Sequence, residues 1–238
     1  MAVLFENDDV LALDKPAGVS LATSSRADKS ASAAVERLIS SCKEAARPGL
    51  LLVHRLDLPT TGVVLLAKSA AAHRTLSRAF QSGGARKTYR ALAWGHPVPA
   101  AGAWTDSLGR DPRDGRKTKA RADGKRAVTR YRTLRRVPSP ALVDLELFPE
   151  TGRTHQIRAH AAAHGHPLVG DDLYGGATRW RGVRDPRLRR ALAGVDRVLL
   201  HSARIEIPEM ALDVAAPLPR DFRSLLDALE ATPPKTRS

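Results

Sequence analysis

The chain has 238 residues, 42% of them apolar, with Lys+Arg 39 against Asp+Glu 25 and a formal charge of +14. That length allows one domain with a full core. No stretch approaches the roughly 20 consecutive apolar residues of a membrane helix, and the acidic opening Met-Ala-Val-Leu-Phe-Glu-Asn-Asp-Asp lacks a signal-peptide pattern. A single cysteine, Cys42, excludes an internal disulfide framework and a multi-cysteine zinc site. These features point to a cytoplasmic protein whose charge suits a polyanionic partner.

In chain order, Val3–Glu6 and Val10–Asp14 read as short strands around an Asn7-Asp8-Asp9 turn. Lys15-Pro16-Ala17-Gly18 breaks the run. Residues 30–46 read as a helix with a stripe of Val35, Leu38, Ile39 and Cys42, ended by Pro48-Gly49. Leu50–His54 and Val63–Ala67 are continuous apolar runs, expected as strands buried on both faces, with His54–Gly62 as the loop between them. Ser69–Gln81 is expected to be a helix closed by Gly83-Gly84. Strands follow at Lys87–Trp94, Arg126–Arg136 and Ala141–Phe148, the segment from Gly95 to Lys125 reading as a loop insertion. A short helix over Thr154–His164, a strand over Arg197–Ile207 and a helix over Asp221–Leu229 complete the pattern. Residues 231–238 read as a disordered tail. Strands followed by irregularly placed helices indicate α+β.

The basic charge is unevenly placed. Between Arg110 and Arg136 twelve basic residues stand against three acidic ones, and Arg179–Arg190 carries six arginines against Asp185. A solvated surface explains either cluster alone; the two together favour a phosphate-tracking surface.

Three segments place polar residues where packing does not ask for them. In His54-Arg55-Leu56-Asp57-Leu58-Pro59-Thr60-Thr61-Gly62, Asp57 reads equally as a functional carboxylate on a loop and as a turn cap. In Arg86-Lys87-Thr88-Tyr89-Arg90-Ala91, alternation puts Lys87 and Tyr89 on one strand face; a strand tyrosine is commonly core, but it can also stack on a base. In Glu150-Thr151-Gly152-Arg153-Thr154-His155-Gln156-Ile157-Arg158, Arg158 lies one turn beyond Thr154 on a helix whose start favours anions; alone it reads as a surface arginine.

Together these segments resemble the RluA family of pseudouridine synthases. They match its His-Arg-Leu-Asp-x-x-Thr-Ser/Thr-Gly, Lys-x-Tyr-x-Ala and Gly-Arg-Thr/Ser-His-Gln-Ile/Leu-Arg motifs, in the family's order. Asp14-Lys15-Pro16-Ala17-Gly18, His166-Pro167-Leu168-Val169-Gly170-Asp171 with Tyr174-Gly175, and Leu199-Leu200-His201-Ser202 also fit. Departures are mild, chiefly Thr61 for serine and Asp14 for asparagine. The resemblance implies a pseudouridine-synthase-like catalytic domain over residues 1–230, with a mixed, largely antiparallel central sheet flanked by helices and loops. It resembles members lacking the small N-terminal RNA-binding domain.

What the resemblance implies for the site is specific. Asp57 is the essential carboxylate, Tyr89 stacks on the uracil, and Arg158 pairs with Asp57. Arg55, Lys87 and Arg153 contact the substrate, and His54, Thr60, Gly62, Thr154, His155, Gln156 and Leu200 support the motifs. RNA recognition is assigned to the basic stretch, with Arg113, Arg116, Lys117 and Lys119 as candidates. The partner is RNA, in ribosomal or transfer RNA loops, and the protein is expected to be a monomer. Isomerisation oxidises nothing and donates no group, so neither cofactor nor metal is expected. His160 and His164 stand i, i+4, a spacing able to bind zinc, but no carboxylate or cysteine completes a set within that helix. Two other readings remain: an inactive RNA-binding or ribosome-assembly protein on the same fold, and a phosphate-ester hydrolase, which Pro59 disfavours where a second aspartate is needed.

Overall fold

A computed structural model describes residues 2–21, 38, 49–137 and 141–230. Most of the helix expected over residues 30–46, and the tail 231–238, lie outside the described residues. The chain forms two compact units, residues 1–88 with 201–217 and residues 89–200 with 218–238.

The first unit is built on β1 (Val3–Glu6), β2 (Val10–Lys15), β3 (Leu51–Leu52), β4 (Thr61–Ala67), the greater part of β10 (Leu200–Ile207) and β11 (Leu212–Ala215). β4 is buried at all seven positions, as a continuous apolar run should be in a central strand. It pairs antiparallel with β2 over Val10↔Ala67 to Lys15↔Gly62, and parallel with β10 through Thr61↔His201 and Gly62↔Ser202. Helix α1 (Ala70–Ser82) starts at Ser69, whose Oγ accepts from the Ala72 N–H, and stops at Gly83 in the left-handed conformation. Its Ala72, Leu76 and Ala79 pack with Val10, Val63, Leu65, Ile205 and Val214 into one core.

The second unit holds antiparallel strands in the order β5 (Arg86–Trp94, from Tyr89 onward), β9 (Leu142–Pro149), β8 (Lys125–Val137), β6 (Ala101–Arg110) and β7 (Thr118–Ala120). Its helices are α2 (Gln156–Ala163), α3 (Pro186–Ala193) and α4 (Arg220–Glu230). Alternation along β5 serves two cores. Ala91 and Ala93 join Ile157, Ala161 and Leu145, whereas Leu92 and Trp94 join Leu188, Leu192, Phe222 and Leu225. No described helix is long and apolar enough to cross a membrane.

The elements are α+β with mixed, largely antiparallel pairing, as the sequence indicates. The insertion reading of 95–125 needs correction, because the segment contains β6 and β7. β6 pairs with β8 over eight consecutive positions, Ala101↔Arg132 to Leu108↔Lys125. Only Trp104 and Leu108 of β6 are buried, and small or polar residues between them blur the period-2 signal. β3 is shorter than Leu50–His54 because His54 leaves the ladder. α2 begins two residues later than expected, after His155 at φ 53°. α3 and β11 stand where the sequence pattern indicates no regular element.

One position in the first unit admits only glycine. Gly62 has φ 108°, and a Cβ there would lie 2.2 Å from the Ser202 carbonyl oxygen. The obstructing atoms belong to the Ser202 backbone, so no side-chain rotation relieves the clash. Gly62→Ala should destabilise the protein by at least about 2 kcal/mol in urea titration; wild-type stability would show that the β4–β10 approach tolerates a side chain.

Candidate active site

In the first unit, the turn carrying Asp57 is fixed from below by Lys15. The ammonium group of this fully buried residue donates to the carbonyls of Pro16 (2.8 Å), Leu58 (3.2 Å) and Thr60 (2.8 Å). Three donors thus meet three acceptors, two of them within the motif loop. The Gly18 N–H also donates to the Leu58 carbonyl at 2.9 Å, and the Thr60 N–H closes the turn onto the Asp57 carbonyl at 3.0 Å. Asp57 itself is half-buried and Arg55 exposed. Of the two apolar neighbours expected to exclude water, Leu56 is buried, but Leu58 is 51% exposed.

Beyond the turn, Thr61 Oγ1 lies 2.8 Å from Nδ1 of the buried His201, whose Nε2 lies 3.3 Å from the Ala216 carbonyl. Thr60 Oγ1 and Ser202 Oγ are buried hydroxyls without hydrogen-bond partners among the described residues. On the near side, the His54 ring stacks on Phe80 at 4.6 Å, and its Nε2 accepts the Leu65 N–H at 3.1 Å. Burial, with the positive charge of Lys87 as a smaller cause, lowers the His54 pKa to about 3. Lys87 places its ammonium 6.0 Å from the Phe80 ring centre, and burial lowers its own pKa.

In the second unit, Tyr89 is partly buried and packs against the Ala91, Leu145 and Leu147 core. Arg158 is not a surface residue: it is 4% exposed, and its Nε and Nη2 donate to Asp171 Oδ2 and Oδ1 at 2.8 Å each. The bidentate geometry fixes the plane of the guanidinium group, which lies 5.1 Å over the Tyr174 ring. Asp171 Oδ1 also accepts the Tyr174 N–H at 3.1 Å, and the Tyr174 hydroxyl bonds both backbone groups of Thr118. His155 meets that hydroxyl at 3.2 Å through Nδ1. Its left-handed backbone is the kind of local strain that collects at functional sites. Gln156 is buried and ties the motif together, accepting from the Arg153 N–H and Thr151 hydroxyl and donating to the Val128 carbonyl and Thr129 hydroxyl.

Thr154 is exposed, and Leu200 is buried in the Ile157 core. Arg153 is exposed, with Nε 3.3 Å from the Arg126 carbonyl. Among the basic candidates, Arg116 and Lys117 are paired to Asp114 and Lys119 to Asp111, whereas Arg113 makes no ion pair among the described residues. His160 and His164 are engaged in hydrogen bonds, to Thr129 Oγ1 at 2.8 Å and to Asp106 Oδ2 at 2.9 Å. Among the described residues no group of three His, Cys, Asp or Glu side chains is arranged to hold a metal. Lys15, His201, Asp171 and Tyr174 sit in motifs already quoted, but nothing in the sequence assigns their contacts; a buried arginine announces a carboxylate partner without saying which.

Residues 9–163 match the family model described as RNA pseudouridylate synthase. The chain belongs to that family. It is 35% identical over 237 residues to an uncharacterized RNA pseudouridine synthase of Mycobacterium bovis, covering 96% of this chain and 73% of the relative. It is also 35% identical over 231 residues to the ribosomal large subunit pseudouridine synthase D of Xanthomonas campestris, covering 95% and 69%. Human RNA pseudouridylate synthase domain containing 4 shares the fold, with a TM-score of 0.73 at 24% identity over 96% of this chain and 92% of that one. The RluA-type assignment read from the motifs therefore holds, and the reaction is isomerisation of uridine in RNA.

Burial of neutral histidine makes stability depend on pH. His54 (about 3) and His160 (about 4, lowered by burial) have folded pKa values below the ordinary 6.5. Below pH 6.5 the unfolded chain takes up protons that the folded chain does not, so stability is complete above that pH and falls as pH drops toward 4. Each histidine contributes a slope of about 1.4 kcal/mol per pH unit. Urea titrations between pH 6 and 4.5 should give His54→Gln a shallower slope than wild type by about that amount; equal slopes would mean His54 titrates normally.

Proposed function

We propose that this chain converts specific uridines to pseudouridine in structured ribosomal or transfer RNA, as a cytoplasmic monomer without cofactor or metal, and that Asp57 is its essential carboxylate. The observation carrying this reading is the Asp57 turn itself: a half-buried carboxylate on a loop held by a buried lysine, inside a family motif matched with the Tyr89 and Arg158 motifs in order. Names of relatives that specify the ribosomal large subunit favour ribosomal RNA among the substrates.

The chemistry fits one carboxylate. A uracil anion leaves the ribose without prior protonation, so the second carboxylate of a glycoside hydrolase has no task. Asp57 either attacks the anomeric carbon or removes a ribose proton; both need an ionised carboxylate with water held away. Arg158, oriented by Asp171, supplies the positive charge that keeps such a carboxylate ionised. Tyr89 stacks on the uracil and helps remove the ring carbon 5 proton after the new bond forms. Arg55, Lys87 and Arg153 contact the RNA, with Arg113, Arg116, Lys117 and Lys119 tracking phosphates. Extruding the base costs a few kcal/mol, so loops and mispaired stems are preferred. His54, Thr60, Gly62, Thr154, His155, Gln156 and Leu200 act through the backbone they hold.

Purified protein incubated with transcribed ribosomal and transfer RNA should generate pseudouridine at a small number of mapped sites, and Asp57→Asn should lower product at least 1,000-fold (on the order of 4 kcal/mol) while RNA binding persists. No new site with the wild type would end the enzymatic reading of substrate and residues; comparable product from Asp57→Asn would remove Asp57 from its role.

A further inference from the structure

Several arginines in the second unit have carboxylates beside them. Arg116 meets Asp114, Arg121 meets Asp123, Arg130 meets Glu150, Arg132 meets Glu146 and Arg135 meets Glu230. The stretch from Arg179 to Arg190 instead gathers six arginines within twelve residues without such partners. Arg179, Arg181, Arg184, Arg187, Arg189 and Arg190 are all exposed, and none makes an ion pair among the described residues. Asp185, the one acid in the stretch, is turned inward as a helix cap, accepting the Arg187 N–H at 2.8 Å and the Leu188 N–H at 3.1 Å.

This charge is held in place. α3 is anchored by Leu188 and Leu192, which pack with Phe222, Leu225 and Leu229 of α4. Arg187 and Arg190 stand i, i+3 on its outer side, where like charges repel, and Arg187 adds a positive charge to the first helical turn, which favours negative ones. An external anion would relieve both costs. All six basic residues are arginine, whose planar fork suits phosphate oxygens. Half-buried Trp180 adds an indole with the Arg181 guanidinium 5.7 Å from its centre, an aromatic and cation pairing suited to stacking on bases. The stretch also continues directly from the Arg158 network: Tyr174 lies under Arg158, and Arg179 Nε donates to the Gly175 carbonyl at 3.2 Å.

We infer that Arg179–Arg190, with Trp180, is a docking surface for the sugar–phosphate backbone of the RNA substrate, and that it contributes more to binding than the largely self-paired hairpin residues Arg116, Lys117 and Lys119. The inference rests on the reading of the chain as an RNA-modifying enzyme, but it is tested by binding alone. The full chain carrying R181Q, R184Q, R187Q and R190Q, side chains that are all exposed, is compared with wild type for binding a folded ribosomal RNA transcript from 50 to 300 mM salt. The affinity at the lowest salt should fall 10- to 100-fold, and the slope of log affinity against log salt should become shallower by about 2 to 4, near 0.9 for each lost phosphate contact. The corresponding four Arg→Lys changes should restore most of the slope, which separates charge from any loss of fold. An unchanged slope and affinity in the glutamine variant, or a lysine variant as weak and as shallow in slope as the glutamine one, would overturn the inference. If wild type binds the transcript but makes no pseudouridine, the enzymatic reading fails while the comparison of slopes still decides this one.

Discussion

The interaction on which the first unit's functional geometry depends is the buried ammonium of Lys15. A charge taken fully out of water is costly unless every donor is used. Lys15 meets that demand with backbone carbonyls, two of which belong to the loop that carries Asp57. The loop is consequently held from the end of β2, and its register continues without a break into Lys15↔Gly62 and Thr61↔His201. In the proposed reaction a carboxylate acting at one atom of a ribose needs such positional control, because an error of an ångström is expensive in rate. Leu56 and the packed His54 ring complete the support with apolar contact, and neither adds a competing charge.

The second unit uses a different device for the same end. Arg158 is buried against Asp171 as a two-point pair, and Asp171 is itself fixed by the Tyr174 N–H. Tyr174 carries the constraint on to Thr118 of β7, so the hairpin and the motif helix share one hydrogen-bonded assembly. Surface charges follow another economy. Exposed pairs such as Arg116–Asp114 are worth little to stability, yet they reduce what a hairpin offers to a phosphate. The arginines beyond Tyr174, which make no ion pair among the described residues, keep their full charge for solvent or for a polyanion.

Much of this organisation is legible in the sequence, and the exceptions have physical reasons. β4 and α1 are strongly patterned and carry their own start and stop residues, so they are found nearly to the residue. β6 is not found, because its alternation runs through alanine, glycine and serine, and pairing with β8 decides its conformation. α3 is missed because its eight residues contain four charged or proline positions and only two buried leucines, Leu188 and Leu192. The motifs locate Asp57, Tyr89 and Arg158 through family resemblance. The contacts that position them join residues far apart in the chain, Lys15 to Thr60, Thr61 to His201 and Arg158 to Asp171, and local pattern says nothing about such pairs.

The claim that Lys15 holds the reactive loop is tested most directly by Lys15→Met, which keeps the length of the side chain and removes the three donors. Hydrogen exchange of the amides at Leu58, Thr60 and Thr61 should accelerate at least tenfold, with kcat for pseudouridine formation falling by a similar factor or more while RNA affinity stays within about twofold. Exchange and kcat at wild-type values in that variant would contradict the account.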